Sequence, residues 1–185
     1  MERSVVFAGF GGQGVLLAGK VLARAAMDLG LHVTWLPSYG PEMRGGTANC
    51  TVVVSTDPVG SPIVDAPDVL LAMNGPSLDK FEGRVTPGGV IVVNSSLVPR
   101  AVTRKDVREV RLAANDLARE LGEPRAANMA ALGAIVWAIG TVPLEAVKAA
   151  MRGELGAKIG EKAAHANEAA LEQGFALGQK TNLGT

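Results

Sequence analysis

The most constraining feature lies at the front of the chain, where S-V-V-F-A (residues 4–8) runs straight into G-F-G-G-Q-G (9–14). A continuous apolar run that ends at glycine is the pattern of a strand buried on both faces. The next segment, V-L-L-A-G-K-V-L-A-R-A-A-M-D-L-G, places Val15, Leu16, Ala18, Val21, Leu22, Ala25 and Leu29 at helical spacing, with Gly30 as its C-terminal cap. L-H-V-T-W-L (31–36) reads as a second strand. Residues 4–36 therefore form a β-α-β unit, whose two parallel strands are expected side by side in one sheet.

The pattern continues. T-A-N-C-T-V-V-V-S (47–55) is rich in β-branched residues and reads as a strand, followed by a turn and by S-P-I-V as a short return strand. D-V-L-L-A-M (68–73) and V-I-V-V-N (90–94) read as buried strands, with N-G-P-S opening a short helix between them. Residues 107–112 supply a last strand, and N-D-L-A-R-E-L-G (115–122) a helix capped by Gly122. Asn128 is the expected N-cap of a helix over 128–140, Pro143 opens a shorter helix, and a long helix spans roughly 156–174 before a frayed tail. Strands alternating with helices predict an α/β fold: an open, mainly parallel sheet with a Rossmann-like β-α-β start, helices on both faces and a helical C-terminal part.

The 185 residues fit a single domain, 1–185, with a proper core. Eighteen basic against 18 acidic residues leave no cationic excess for phosphates, and 4% aromatics leave few stacking platforms, so nucleic acid is not an expected partner. The single cysteine, Cys50, excludes an internal disulfide and any cluster or zinc site built from this chain's thiolates alone. Cys50 lies on an apparent strand and is expected to be buried and inert. The N-terminal apolar run is too short for a signal peptide, and no run reaches a membrane span, so a cytoplasmic chain is expected. Only 19% charge, with abundant Ala, Val and Leu, also fits a surface partly covered by a partner.

Gly9, Gly11 and Gly14 satisfy G-x-G-x-x-G between strand and helix, with Gly12 and Gln13 inside it. Such a loop offers free N–H groups at a helix start to an anion. A dinucleotide also requires a carboxylate at the end of the second strand, and that strand ends W-L-P-S; Asp28 falls on the helix instead. Packing, or a small anion or partner group, is the better reading of the glycines. Gln13 either donates to that anion or closes the turn. His32 and His165 have no ligand-like spacing, and no G-x-S-x-G, P-loop or H-E-x-x-H motif occurs.

S-Y-G-P-E-M-R-G-G (38–46) is too rich in distinct chemistry for a plain connector. Arg44 is a flat, multi-donor cation suited to carboxylate or phosphate, and Tyr39 and Met43 offer apolar contact. Glu42 and Arg44 either face different sides or brace the turn as an internal ion pair. Asn49 and Asn128 are weaker candidates for the same region, with backbone capping as their plainer role.

Taken together, G-F-G-G-Q-G-V-L-L-A-G and S-Y-G-P-E-M-R-G-G-T-A-N-C closely resemble the gamma subunit of 2-oxoacid:ferredoxin oxidoreductases, the 2-oxoglutarate members most nearly. V-I-V-V-N-S-S-L-V, A-N-D-L-A-R-E-L-G, N-M-A-A-L-G-A and A-N-E-A-A-L-E-Q-G extend the resemblance over almost the whole chain. The resemblance implies a subunit that is inactive alone, in a complex that decarboxylates a 2-oxoacid to its acyl-coenzyme A and passes electrons to ferredoxin. It implies that thiamine diphosphate, magnesium and iron–sulfur clusters are held by alpha and beta (in some members delta) subunits. Tyr39, Glu42, Met43, Arg44 and Asn49 would then face a partner or cofactor beside the active site, near coenzyme A. The other readings are a stand-alone nucleotide-binding Rossmann-like oxidoreductase and a free homodimer with a structural role.

Overall fold

The computed structural model of the 185-residue chain describes residues 1–39 and 46–181. In chain order the strands are β1 (Glu2–Phe10), β2 (His32–Tyr39), β3 (Thr47–Ser55), β4 (Val69–Ala72), β5 (Val90–Asn94) and β6 (Arg108–Leu112). The helices are α1 (Val15–Asp28), α2 (Gly75–Phe81), α3 (Ala114–Glu120), α4 (Ala127–Ile139) and α5 (Leu144–Thr181). The strands form one sheet in the order β2-β3-β1-β4-β5-β6. β1, β4, β5 and β6 pair in parallel, while β3 runs antiparallel to both β1 and β2. The expected α/β fold with its β-α-β start is present.

One neighbour relation differs from expectation. β1 and β2 point the same way but do not touch, because β3 folds back from β2 and fills the slot between them. The reason lies in the side chains. Val52, Val53 and Val54 are all buried, so β3 needs cover on both faces and two flanking strands. β2 carries Pro37, which cannot donate to a ladder, and leaves Trp35 and Leu36 38% and 43% exposed, as suits an edge.

Two smaller expectations also fail. S-P-I-V forms bends rather than a strand, with Ile63 70% exposed and Pro62 lacking a donor. Asn128 lies inside α4 rather than capping it, because a short 3-10 turn, Pro124–Ala126, leads in and moves the cap position to Ala126. The expected pair of C-terminal helices is present: α5 consists of two helical stretches that meet at Gly160 (φ 74°, ψ 163°), the second running on to Thr181.

The sheet separates two cores by simple alternation. Val5, Phe7, Leu71, Val92 and Val110 face α1, α4 and α5. Val6, Ala8, Leu70, Ile91 and Val93 face Leu78 and Phe81 of α2, together with Val98 and Val102. On this second side Glu82 is buried; burial pushes its carboxyl up, but the Thr103 hydroxyl and amide, Arg100 and the Arg104 amide outweigh that and hold it low. α4 is apolar all round and buried over residues 127–136, the pattern of a helix with neighbours on every side.

Small residues set how closely α4 and α5 approach. A Cβ at Gly174 would lie 1.9 Å from the Ala130 carbonyl oxygen, and one at Gly133 2.0 Å from that of Leu171. Nothing surrounds Gly153 on the exposed side of α5. Gly174→Ala is therefore expected to destabilise the chain by about 1–3 kcal/mol, whereas Gly153→Ala stabilises it by up to about 1 kcal/mol. Urea midpoints of the two variants check both signs.

Cys50 is fully buried beneath α1, where a Cβ on Gly19 would meet its sulfur at 2.4 Å. Burial pushes its thiol up to about 12, a hydrogen bond with Trp35 pulling slightly the other way. A thiol reagent at pH 8 should leave the folded chain unlabelled and react at the rate of unfolding. Rapid labelling of folded protein would contradict this placement.

Candidate functional site

β1 ends at Phe10 and α1 begins at Val15, so the glycine loop occupies the carboxyl end of the sheet next to its centre. Two of the three signature glycines, Gly9 and Gly14, have separate physical reasons. A Cβ at Gly9 would lie 2.8 Å from Gln13 Oε1 and 2.9 Å from Val15 Cγ1, so this position is set by close packing. Gly14 sits in the left-handed region at φ 73°, and a Cβ there would meet Asn128 Nδ2 at 2.4 Å. Gly11 donates to the Gly46 carbonyl at 2.9 Å, which ties the loop to the start of β3. Gly12, at φ 97°, faces open space.

Gln13 closes the loop on itself. The Phe10 amide donates to Gln13 Oε1 at 2.7 Å, and the Gln13 amide donates to the Phe10 carbonyl at 3.1 Å. Asn74 Nδ2 also donates to Gln13 Oε1, at 2.8 Å, while Gln13 Nε2 reaches the Met73 carbonyl at 3.3 Å. That carbonyl accepts again from Asn94 Nδ2 at 3.3 Å, and Asn94 Nδ2 meets Asn115 Oδ1 at 2.8 Å. The Ala114 amide donates back to Asn94 Oδ1 at 3.2 Å. A ladder of side-chain amides thus runs across the carboxyl ends of β1, β4 and β5, where an open parallel sheet usually holds its ligand crevice.

Sequence reasoning missed Asn74, Asn94 and Asn115. The readable signal was position: Asn74 follows β4 by two residues, Asn94 ends β5, and Asn115 lies just beyond β6. An amide at a strand's carboxyl end can bond its neighbour's last carbonyl, which the ladder does repeatedly.

The α1 side of the loop is different. α1 has no side-chain cap and no acid in its first turn; its Ala18 amide bonds the Gly14 carbonyl at 3.0 Å. The first-turn N–H groups have no helical acceptor. They border a hollow of about 580 Å3 walled by Phe10, Gly12, Leu16, Leu17, Trp35 and Ala48. The hollow is open and largely apolar, suited to a hydrophobic group with a polar or anionic end.

The glycine-loop candidates, Gly9, Gly11, Gly12, Gln13 and Gly14, are gathered at one place. Glu42, Met43 and Arg44 lie outside the described residues, as does the side chain of Tyr39. The anchors of their segment are clear: Tyr39 pairs with Ala48, and Gly46 accepts the bond from Gly11. Asn49 lies between Ala48 and Cys50 on β3 and points to the other face of the sheet, away from the hollow. Asn128 Nδ2 donates to the Gly14 carbonyl at 3.2 Å, so it braces the glycine loop from α4. His32 and His165 are exposed. Among the described residues no group of three His, Cys, Asp or Glu side chains is placed to hold a metal, and no helix is long and apolar enough to cross a membrane.

The family model described as pyruvate ferredoxin/flavodoxin oxidoreductase matches residues 4–177. The ketoisovalerate oxidoreductase subunit VorA of Methanothermobacter marburgensis is 47% identical over 144 residues, which cover 78% of this chain and 30% of that protein. This chain therefore spans less than a third of that relative's length. The crystal structure of the keto/oxoacid ferredoxin oxidoreductase gamma subunit from Geobacter sulfurreducens superposes with a TM-score of 0.80 at 31% identity, covering 96% of this chain and 99% of the other. The 2-oxoglutarate:ferredoxin oxidoreductase of Magnetococcus marinus, solved with 2-oxoglutarate, coenzyme A and succinyl-CoA bound, gives a TM-score of 0.84 at 26% identity, over 97% of this chain and 31% of that one. The chain belongs to the pyruvate ferredoxin/flavodoxin oxidoreductase family and is of its gamma-subunit type.

Proposed function

We propose that the chain is the gamma subunit of a complex that oxidatively decarboxylates a 2-oxoacid to its acyl-coenzyme A and delivers the electrons to ferredoxin. Alpha and beta subunits would carry thiamine diphosphate, magnesium and the iron–sulfur clusters. One buried cysteine cannot ligate a cluster, so no redox step is assigned to this chain. Its own contribution is a wall: the glycine loop, the first turn of α1 and the P-E-M-R segment close the partner's site on one side.

The apolar hollow at the head of α1 carries this reading. It lies between the glycine loop and edge strand β2, next to both anchors of P-E-M-R. An open apolar hollow of this size beside an edge strand is a surface suited to further cover. A stand-alone dinucleotide enzyme fits less well: Phe10, Gly11 and Gln13 amides are already bonded within the chain, and β2 ends without a ribose-binding carboxylate.

Arg44 is proposed to meet a carboxylate or phosphate across this surface, with Glu42 orienting it. Two relatives carry the names ketoisovalerate oxidoreductase and 2-oxoglutarate:ferredoxin oxidoreductase, so these two acids are the first to assay. Anaerobic purification from the native cell should bring down brown, thiamine-containing chains with this one. Arg44→Glu is expected to weaken assembly or turnover by about 2–5 kcal/mol, the cost of leaving a buried partner charge unpaired. Co-purification yield and ferredoxin-reduction kinetics measure it; an intact complex with unchanged kinetics removes Arg44 from the interface.

A further inference from the structure

A second pocket, of about 210 Å3, lies among α1, the start of α4 and α5. Asn128, Asn167, Glu123 and Arg125 line it together with the apolar side chains of Leu155 and Ile159. Leu155 and Ile159 precede the break at Gly160 and Asn167 follows it, so α5 contributes from both sides of its bend. The two asparagines come from N-M-A-A-L-G-A and A-N-E-A-A-L-E-Q-G, motifs that the proposed interface does not otherwise use.

Asn128 and Asn167 are only 5% and 6% exposed. In each, the amide nitrogen is engaged: Asn128 Nδ2 donates to the Gly14 carbonyl at 3.2 Å, and Asn167 Nδ2 to the Ala163 carbonyl at 2.7 Å. Neither Oδ1 accepts a hydrogen bond from a described residue. Both asparagines line the pocket, so each has an unpaired acceptor to offer an occupant.

The third acceptor is Glu123, whose side chain is 18% exposed. Its Oε1 takes the Arg125 amide at 3.3 Å and faces Arg125 Nε at 3.4 Å, leaving Oε2 available. The Arg125 side chain is 92% exposed, so water screens that ion pair and another cation can compete for the carboxylate. Three oxygens above apolar side chains ask for a group rich in hydrogen-bond donors on a hydrocarbon stem.

We propose that this pocket binds a primary ammonium or guanidinium head group carried on a short apolar stem. A free amine and a lysine or arginine of a neighbouring subunit present the same chemistry. The occupant would sit one side chain from the glycine loop, because Asn128 holds Gly14 and Leu17 lines both pockets. This site does not depend on the proposed role of Arg44, and its test is separate.

The isotope-labelled full chain is titrated with n-butylammonium chloride and, separately, with sodium butyrate, following the side-chain amide signals of Asn128 and Asn167 by NMR. Saturable shifts of both signals with the ammonium, and none with butyrate, are expected. Glu123→Gln, near the surface, should weaken binding about tenfold without changing the melting temperature, the scale of one charge-assisted hydrogen bond. Asn167→Leu, verified as folded by its melting curve, should abolish saturation. Calorimetry on the assembled complex separates the sources: lost butylammonium binding means a neighbouring side chain fills the pocket, and retained binding means a free amine does. Equal shifts with butyrate show a pocket that takes the hydrocarbon stem whatever the head group, and no saturation with either salt shows one that holds water only; either result overturns the assignment.

Discussion

The long antiparallel ladder between β1 and β3, running from Glu2 opposite Ser55 to Phe10 opposite Thr47, governs where everything functional lies. It holds β3 inside the sheet and pushes β2 to the edge. Because Phe10 and Thr47 face each other at the ladder's end, the glycine loop and the β2–β3 connection emerge side by side. The bond from the Gly11 amide to the Gly46 carbonyl carries the pairing one step further. An ordinary β-α-β unit with adjacent parallel strands would place the second strand, not the P-E-M-R anchors, against the loop. The ladder thus turns a familiar glycine motif into one half of a composite surface.

The other half of the design is the amide ladder at the carboxyl edge. Gln13 pairs with Asn74 and Asn94 with Asn115, and the network also bonds the Phe10 amide, the Met73 carbonyl and the Ala114 amide. In low dielectric such a network is stable only when its members are satisfied, and it then fixes a single arrangement. Here it locks the loop between β1 and β4, on the side where a nucleotide would enter. The α1 side has no such network and remains an apolar opening. Two sides of one loop therefore have opposite characters, one closed by hydrogen bonds and one open and apolar.

Much of this was legible in the residues. Continuous apolar strands, the helix after the glycine loop, and the caps at Gly30 and Gly122 all follow from local chemistry, and both glycines do adopt positive φ. Strand order was not legible in that way, since it depends on which strand is apolar on both faces. The contrast between T-V-V-V and a strand containing Pro37 held that information, but adjacency in sequence outweighed it. Asn128 looked like a cap because it opens an apolar helix; its real partner, Gly14, is distant in sequence. The reason for Gly133 and Gly174 is a backbone on another helix. Contacts of this kind leave no periodic trace.

The apolar exposure of the described surface is uneven in a way that bears on assembly. Met27, Leu29, Trp35 and Leu36 are 59%, 47%, 38% and 43% exposed and belong to the end of α1 or to β2, while the other exposed large apolar side chains, Met1, Ile63 and Leu97, lie elsewhere in the chain. β2 is also an edge strand, as β6 is on the opposite side of the sheet, and Pro37 removes one donor from its ladder. Since helices cover the sheet's central strands, the sheet's own burial does not explain why this edge stays apolar. The same domain type occurs as a separate gamma chain in one relative and as less than a third of a longer chain in another. If this chain assembles as proposed, one face has to work against a neighbour whether or not a peptide bond joins them. Shape and apolar area can do this without help from the linker, whereas a few exposed ion pairs contribute too little.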